Sequence, residues 1–241
     1  MTTVLLIRHG RTAANAGAVL AGWTPGVALD ETGQAQAERL SERLAPVPLA
    51  ALVCSPLERC RQTAEAVAKS REVGITEEPR VGEVHYGDWT GAALKDLAKK
   101  PLWKVVQSHP SAAVFPGDGG EGLAAVQARA VGAVRQWNER LGPDAVYAVF
   151  SHGDVIKSIL ADALGLHLDL FQRIVVDPCS VSVISYTDTR PFVARSNDTG
   201  GDVTALLPQK KKRGRKRSDA AVGGGAGPSA GGGAVASART T

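Results

Sequence analysis

The chain is short of the residues that staple small secreted domains, with 3 cysteines in 241 residues. An odd number cannot all pair within one chain. Cys54, Cys60 and Cys179 also lie in apolar or helical surroundings without framework spacing, which points to reduced thiols and a cytoplasmic setting. Long hydrophobic runs are missing as well. The N-terminus offers only the four apolar residues Val4 to Ile7 before Arg8, too few for a signal-peptide core or a membrane span, so a soluble protein is expected. Histidine is scarce, at 5 residues. None of His9, His85, His109, His152 and His167 shows helical ligand spacing to another, which argues against a metal site.

Acidic residues are nearly absent from the last part of the chain. Residues 205–241 hold eight basic residues and one acidic residue, seven of the cations within 210–217, so the overall charge of +4 leaves residues 1–204 mildly acidic. After the basic run the composition is Gly, Ala and Ser, which cannot bury enough apolar surface to offset its ordering entropy. Residues 205–241 are therefore expected to be disordered. The run Lys-Arg-Gly-Arg-Lys at 212–216 has the core of a minor-groove hook without its flanking prolines. A second class of function, salt-sensitive binding of nucleic acid or another polyanion through 210–217, is kept open on that ground, beside the plainer reading of a solvated tail.

What the chain does have is one domain core, 44% hydrophobic, with two apolar runs that end alike. Val4 to Ile7 runs into Arg8-His9-Gly10, and Ala148 to Phe150 runs into Ser151-His152-Gly153. Strand patterns at Val4 to Ile7, Leu49 to Cys54, Val146 to Phe150 and Val181 to Tyr186 alternate with helical stripes. These helices are expected over Thr32 to Leu44, Leu57 to Val67, Leu123 to Trp137 and Val155 to Leu164. That alternation predicts an α/β sandwich with a largely parallel sheet, whose ligand crevice lies at the carboxyl ends of its strands. Val84 to Pro116, without clean periodicity, reads as an inserted cap.

Ser55-Pro56-Leu57-Glu58 reads as a capping box that starts a helix at the same sheet edge as His9. Arg59 and Arg61 follow on opposite flanks of the apolar stripe, so only one of them can reach the pocket. Two imidazoles, Arg8, one of these arginines and a helix N-terminus suit a dianion such as a phosphoryl group. An imidazole among cations can attack phosphorus, and a carboxyl group with a raised pKa could protonate the leaving alkoxide.

Leu6 to Asn15 resembles the signature of the histidine phosphatase superfamily, in its phosphoglycerate mutase-like branch. The resemblance continues through Gly22-Trp23, Leu29 to Gly33, Ser55 to Ala64, Glu83 to Gly91 and Ser151-His152-Gly153. An actinobacterial subgroup labelled phosphomutases shares Gly87 to Gly91 and Val176-Asp177-Pro178. The resemblance implies a three-layer αβα sandwich over residues 1–204, with 84–116 as its cap. It implies His9 as the nucleophile that becomes phosphohistidine and Glu83 as proton donor and then base. Arg8, Asn15, Arg59 (chosen over Arg61 by the family pattern), His152 and the Gly153 amide would hold the phosphoryl group. Gly22, Trp23, His85 and Trp89 would line the substrate pocket.

Glu121 matches a family element and also reads as an ordinary acid at a helix N-terminus. Arg11 stands where many relatives have Glu or Gln; it would add a cation at the mouth or face solvent. Only 68 residues separate Glu83 from His152, a shorter insertion than in cofactor-dependent mutases. The activity expected is hydrolysis of a small phosphorylated metabolite, with the phosphoglycerate-type mutase as alternative. No cofactor is expected, except bisphosphoglycerate if the mutase reading holds. The assembly expected is a monomer or homodimer, with the tail standing apart from the site.

Overall fold

The computed structural model describes residues 1–201 together with Val222, Gly223 and Gly225. The disorder expected for 205–241, and the basic run 210–217, fall on residues outside the described set apart from those three. In chain order the elements are β1 (Thr2–Arg8), α1 (Ala13–Ala16), α2 (Glu31–Leu44), β2 (Leu52–Cys54), α3 (Glu58–Ala68), β3 (Ile75–Glu77), α4 (Leu94–Leu97), α5 (Pro101–Ser108), α6 (Leu123–Leu141), β4 (Val146–Ser151), α7 (Gly153–Ala163), β5 (Val181–Tyr186) and β6 (Pro191–Asp198). They form a three-layer αβα sandwich around one mixed, mostly parallel sheet of order β3-β2-β4-β1-β5-β6. The first four strands in that order run parallel, while β5 and β6 are antiparallel to their neighbours.

Period-two alternation in β1 divides the core. Val4 and Leu6 face the layer of α6 and α7, where they meet Val126, Val134, Ile156 and Ile159. Leu5 and Ile7 face the layer of α2 and α3, with Leu40, Leu44, Cys60 and Val67. Helix α2 starts where Asp30 accepts from the Gly33 amide at 2.8 Å, and it buries Gly33, Ala37, Leu40 and Leu44 on one stripe. Among the described residues, no helix is long and apolar enough to cross a membrane.

The expected capping box at Ser55 does not form. Leu57 is the N-cap of α3 and has no side-chain cap bond. The Ser55 hydroxyl turns instead to His152, with only a long 3.4 Å contact from the Leu57 amide. The hydroxyl is oriented by the short bond to the buried imidazole, and the amide reaches its oxygen only at the edge of hydrogen-bond distance. The segment Val84 to Pro116 packs as short helices around Trp89, Trp103 and Phe115, whose rings meet at 6.3 and 5.4 Å.

Candidate active site

Register places the two histidines. β1 and β4 pair in parallel with Arg8 opposite Ser151, so the chain leaves both strands at the same sheet edge, and the next residues are His9 and His152. The His9 amide donates to the Ser151 carbonyl at 3.0 Å, and the two rings lie 5.2 Å apart. Close packing beneath them needs Gly10, where a Cβ would stand 2.7 Å from the Gly33 carbonyl oxygen.

Hydrogen bonds fix the tautomer of His9. Its Nδ1 lies 2.7 Å from the Gly10 carbonyl oxygen, which only accepts, so Nδ1 carries the proton. Nε2 is left with its lone pair, to which the Arg59 Nε donates at 3.3 Å. His152 Nε2 is 2.8 Å from the Ser55 hydroxyl, while its Nδ1 faces Arg59 at 3.2 Å and Glu83 Oε2 at 3.5 Å. Burial, and then the neighbouring Arg59 and Arg8 charges, push His9 well below the ordinary imidazole pKa. His152 is lowered by burial, Arg59, His9 and Arg8 in that order. Both rings are neutral at physiological pH.

Of the two helix arginines, Arg59 is 2% exposed and reaches the histidines and the Gly22 carbonyl, the latter at 2.9 Å. Arg61, two steps of 100° further round α3, pairs with Glu77 at the surface. Arg8 is buried beneath the site and donates to the Val176 carbonyl at 2.8 Å.

Glu83 closes the pocket opposite Arg59. Its Oε2 lies 3.8 Å from the guanidinium, and its Oε1 accepts from the Val84 amide at 3.0 Å and the Tyr86 hydroxyl at 3.4 Å. Burial raises its pKa to about 7, with Arg59 opposing and Asp154 adding to the rise. The loop that carries it is clamped from behind. Trp23 Nε1 donates to the Glu83 carbonyl at 2.7 Å, and Arg129 donates to the carbonyls of Arg80, Gly82 and Glu83 at 2.6, 2.9 and 3.0 Å. Glu121 holds that arginine through a two-pronged pair at 2.6 and 2.9 Å.

The other expected residues divide. Asn15 sits in a capping box with Thr12, its Oδ1 accepting from the Thr12 amide at 3.1 Å and the Thr12 hydroxyl at 3.0 Å. Gly153 begins α7, directly after His152. Trp23 stacks on His85 at 4.4 Å, at the rim. Trp89, expected to line the pocket, is 4% exposed and belongs to the apolar core. Arg11 is tied to Asp30 and Thr32 at 2.8 Å each, so it is not an uncommitted cation at the mouth.

Ser55, Tyr86, Arg129 and Asp154 were not among the expected site residues. Arg129 and Asp154 look in sequence like ordinary helix residues, and Ser55 like a cap. The tail reaches the site as well: Val222 is 1% exposed within the apolar cluster of Leu20 and Tyr86, and the Gly223 amide donates to Asp154 Oδ2 at 2.8 Å.

The arrangement combines two buried guanidiniums, a neutral imidazole with an available lone pair, a second neutral imidazole, the N-terminus of α7 and a carboxyl group half-protonated near pH 7. Such a site can hold a dianion, attack it and protonate what leaves.

A family model described as histidine phosphatase superfamily (branch 1) matches residues 4–199. Phosphoserine phosphatase 1 of Hydrogenobacter thermophilus is 27% identical over 83% of this chain and 93% of its own length. A Photorhabdus laumondii protein named "Probable phosphoglycerate mutase GpmB" is 29% identical over 86% of this chain and 95% of its own. The solved structure of Bacillus stearothermophilus YhfR superposes with a TM-score of 0.74 at 30% identity, covering 82% of this chain and 98% of that one.

Proposed function

The chain belongs to branch 1 of the histidine phosphatase superfamily, and from that premise we propose that it hydrolyses the phosphomonoester of a small metabolite through a phosphohistidine at His9. One observation carries the reading: the Nδ1 bond to the Gly10 carbonyl leaves the His9 Nε2 lone pair facing the space shared by Arg59, His152 and Glu83.

In the first step His9 Nε2 attacks phosphorus and the P–O bond to the substrate breaks. Arg8, Arg59, His152, Asn15 and the Gly153 amide take the phosphoryl oxygens, and the Glu83 carboxyl proton goes to the leaving alkoxide. In the second, the resulting Glu83 carboxylate takes a proton from water as the water oxygen attacks phosphorus. The P–N bond breaks, phosphate leaves, and Glu83 is again protonated. Gly22, Trp23 and His85 border the leaving-group side, and a cytoplasmic phosphorylated metabolite is the substrate class that fits. The mutase alternative rests on the name of the Photorhabdus relative; it differs only in a second substrate hydroxyl taking the place of water. Polyanion binding through 210–217 remains a separate proposal on composition alone.

Rapid-quench labelling with a phosphorylated substrate should trap an acid-labile, base-stable phosphohistidine in the native chain and none in His9→Ala. Turnover by His9→Ala at the native rate would overturn the assignment. Isomerisation of phosphoglycerate stimulated by added bisphosphoglycerate would establish the mutase instead.

A further inference from the structure

Behind Glu83 lies a second buried carboxylate that the mechanism above does not use. Asp154 is fully buried in the first turn of α7, two residues after His152. Its Oδ1 pairs with the buried Lys157 ammonium at 3.4 Å. Its Oδ2 faces the Tyr86 hydroxyl at 3.2 Å, and that same hydroxyl stands 3.4 Å from Glu83 Oε1. Tyr86 is also fully buried, with Phe115 edge-on to its ring at 4.8 Å. A phenol has one proton to donate, and here two carboxyl groups face it.

We propose that Tyr86 and Asp154 are positioning residues for Glu83, the phenolic proton turning between the two carboxyl groups as Glu83 gains and loses its own. This rests on Glu83 being the acid of the reaction. When Glu83 is protonated, its proton sits on Oε2 towards the leaving group, Oε1 accepts from the Val84 amide, and Tyr86 donates to the Asp154 carboxylate. Once Glu83 has given its proton to the leaving group, the phenolic O–H turns to Oε1 and donates to the new carboxylate. The rotor supports both states without admitting water, while Oε2 remains towards Arg59 and His152. No bond other than hydrogen bonds changes, and the proton count of Tyr86 and Asp154 is constant.

The charged and titratable groups that face Glu83 are Arg59 and His152 on the phosphoryl side and Arg8 beneath, with Tyr86 and Asp154 behind; Arg129 meets only its backbone carbonyl. Asp154 is faced by Tyr86, Lys157 and the Gly223 amide. Asp154→Asn tests the arrangement, because the asparagine carbonyl stays with the Lys157 ammonium and its amide takes the place of Oδ2, where it gives up the Gly223 bond, donates to the Tyr86 oxygen and holds the phenolic O–H on Glu83, favouring the ionised acid. With an alkyl phosphate as substrate, such as β-glycerol phosphate, the basic limb of the kcat profile should move down by about one pH unit, with KM little changed. In a Tyr86→Phe background the same substitution should move the limb by less than about a third of that.

An equal shift in both backgrounds would mean that Asp154 acts only through its charge, and no shift in either would mean that it is structural; each result overturns the proposal. If Asp154→Asn does not fold, Tyr86→Phe alone carries the test: it removes the donor to the Glu83 carboxylate and should move the basic limb up, and an unmoved limb would overturn the proposal. Direct titration of Glu83 in protein with 13C-labelled glutamate reads the same shift without turnover. It therefore separates failure of the rotor from failure of the phosphatase reading.

Discussion

Replacing Glu83 by glutamine should stabilise the fold by an amount that grows with pH. The folded-state pKa of about 7 stands above the ordinary value of 4.5, chiefly through burial. Below pH 4.5 folded and unfolded chains are both protonated there, and the raised pKa costs nothing. As pH climbs towards 7 the unfolded chain ionises while the folded one does not, so the native state loses ground; above 7 the loss is constant. At about 1.4 kcal/mol for each tenfold change in proton affinity, the loss is about 1 kcal/mol at pH 5 and about 3 kcal/mol at pH 8.

Glutamine does not ionise and escapes the cost at every pH. Its own contacts with Arg59 and the Val84 amide add an offset that is constant with pH. Urea unfolding of both proteins at pH 5, 6, 7 and 8, followed by tryptophan fluorescence, should show the gap widening by about 2 kcal/mol across the series. Turnover of the variant should fall by about 10²- to 10⁴-fold, the usual weight of a general acid. A stability gap that stays constant from pH 5 to 8 would refute the reasoning, since Glu83 would then ionise at its ordinary value.

The remaining outcomes concern the same pocket. Arg59→Ala should lower kcat/KM by about 10³-fold while Arg61→Ala stays within about twofold; steady-state kinetics on one substrate decide it, and equal losses would undo the distinction drawn from burial. Gly10→Ala should destabilise the fold by about 1–3 kcal/mol in thermal unfolding, because its Cβ meets the Gly33 carbonyl, and an unchanged midpoint would show that the loop yields. Ser55→Ala should leave stability within about 1 kcal/mol but cut kcat about tenfold, by freeing the His152 ring; a native kcat would make the Ser55 hydroxyl incidental to the site.

How much of this was legible in sequence varied with the kind of signal. The buried central strands and amphipathic helices announce themselves because one face must be apolar throughout, as in the stripe of Ala37, Leu40 and Leu44. The edge strands β3 and β6 did not. Ile75–Glu77 has a single apolar residue, and Pro191–Asp198 is half solvated with Phe192 53% exposed, so neither carries a burial pattern to read.

Pairing of the two His-Gly strand ends was readable because both close apolar runs. Residues that act from the side were not. Asp154 and Arg129 earn their places through partners 68 and 46 residues away, and nothing local distinguishes them from surface charges on a helix. Trp89, which the family resemblance assigned to the pocket lining, is buried instead, because the cap is small enough to need that ring as its own core.

The Gly223 amide, bound to the same Asp154 oxygen as Tyr86 and seated at φ +76°, where a glycine is at ease, has a consequence for anyone handling this protein. Loss of the residues around Gly223, or an affinity tag that pulls them away, removes a donor from that oxygen and leaves Tyr86 to fill its place. On the proposed rotor the phenolic O–H then stays with Asp154, and Glu83 should hold its proton to higher pH. Preparations that look identical except for a missing stretch of tail should then differ in pH optimum, and the optimum would record whether the chain reached the cuvette intact.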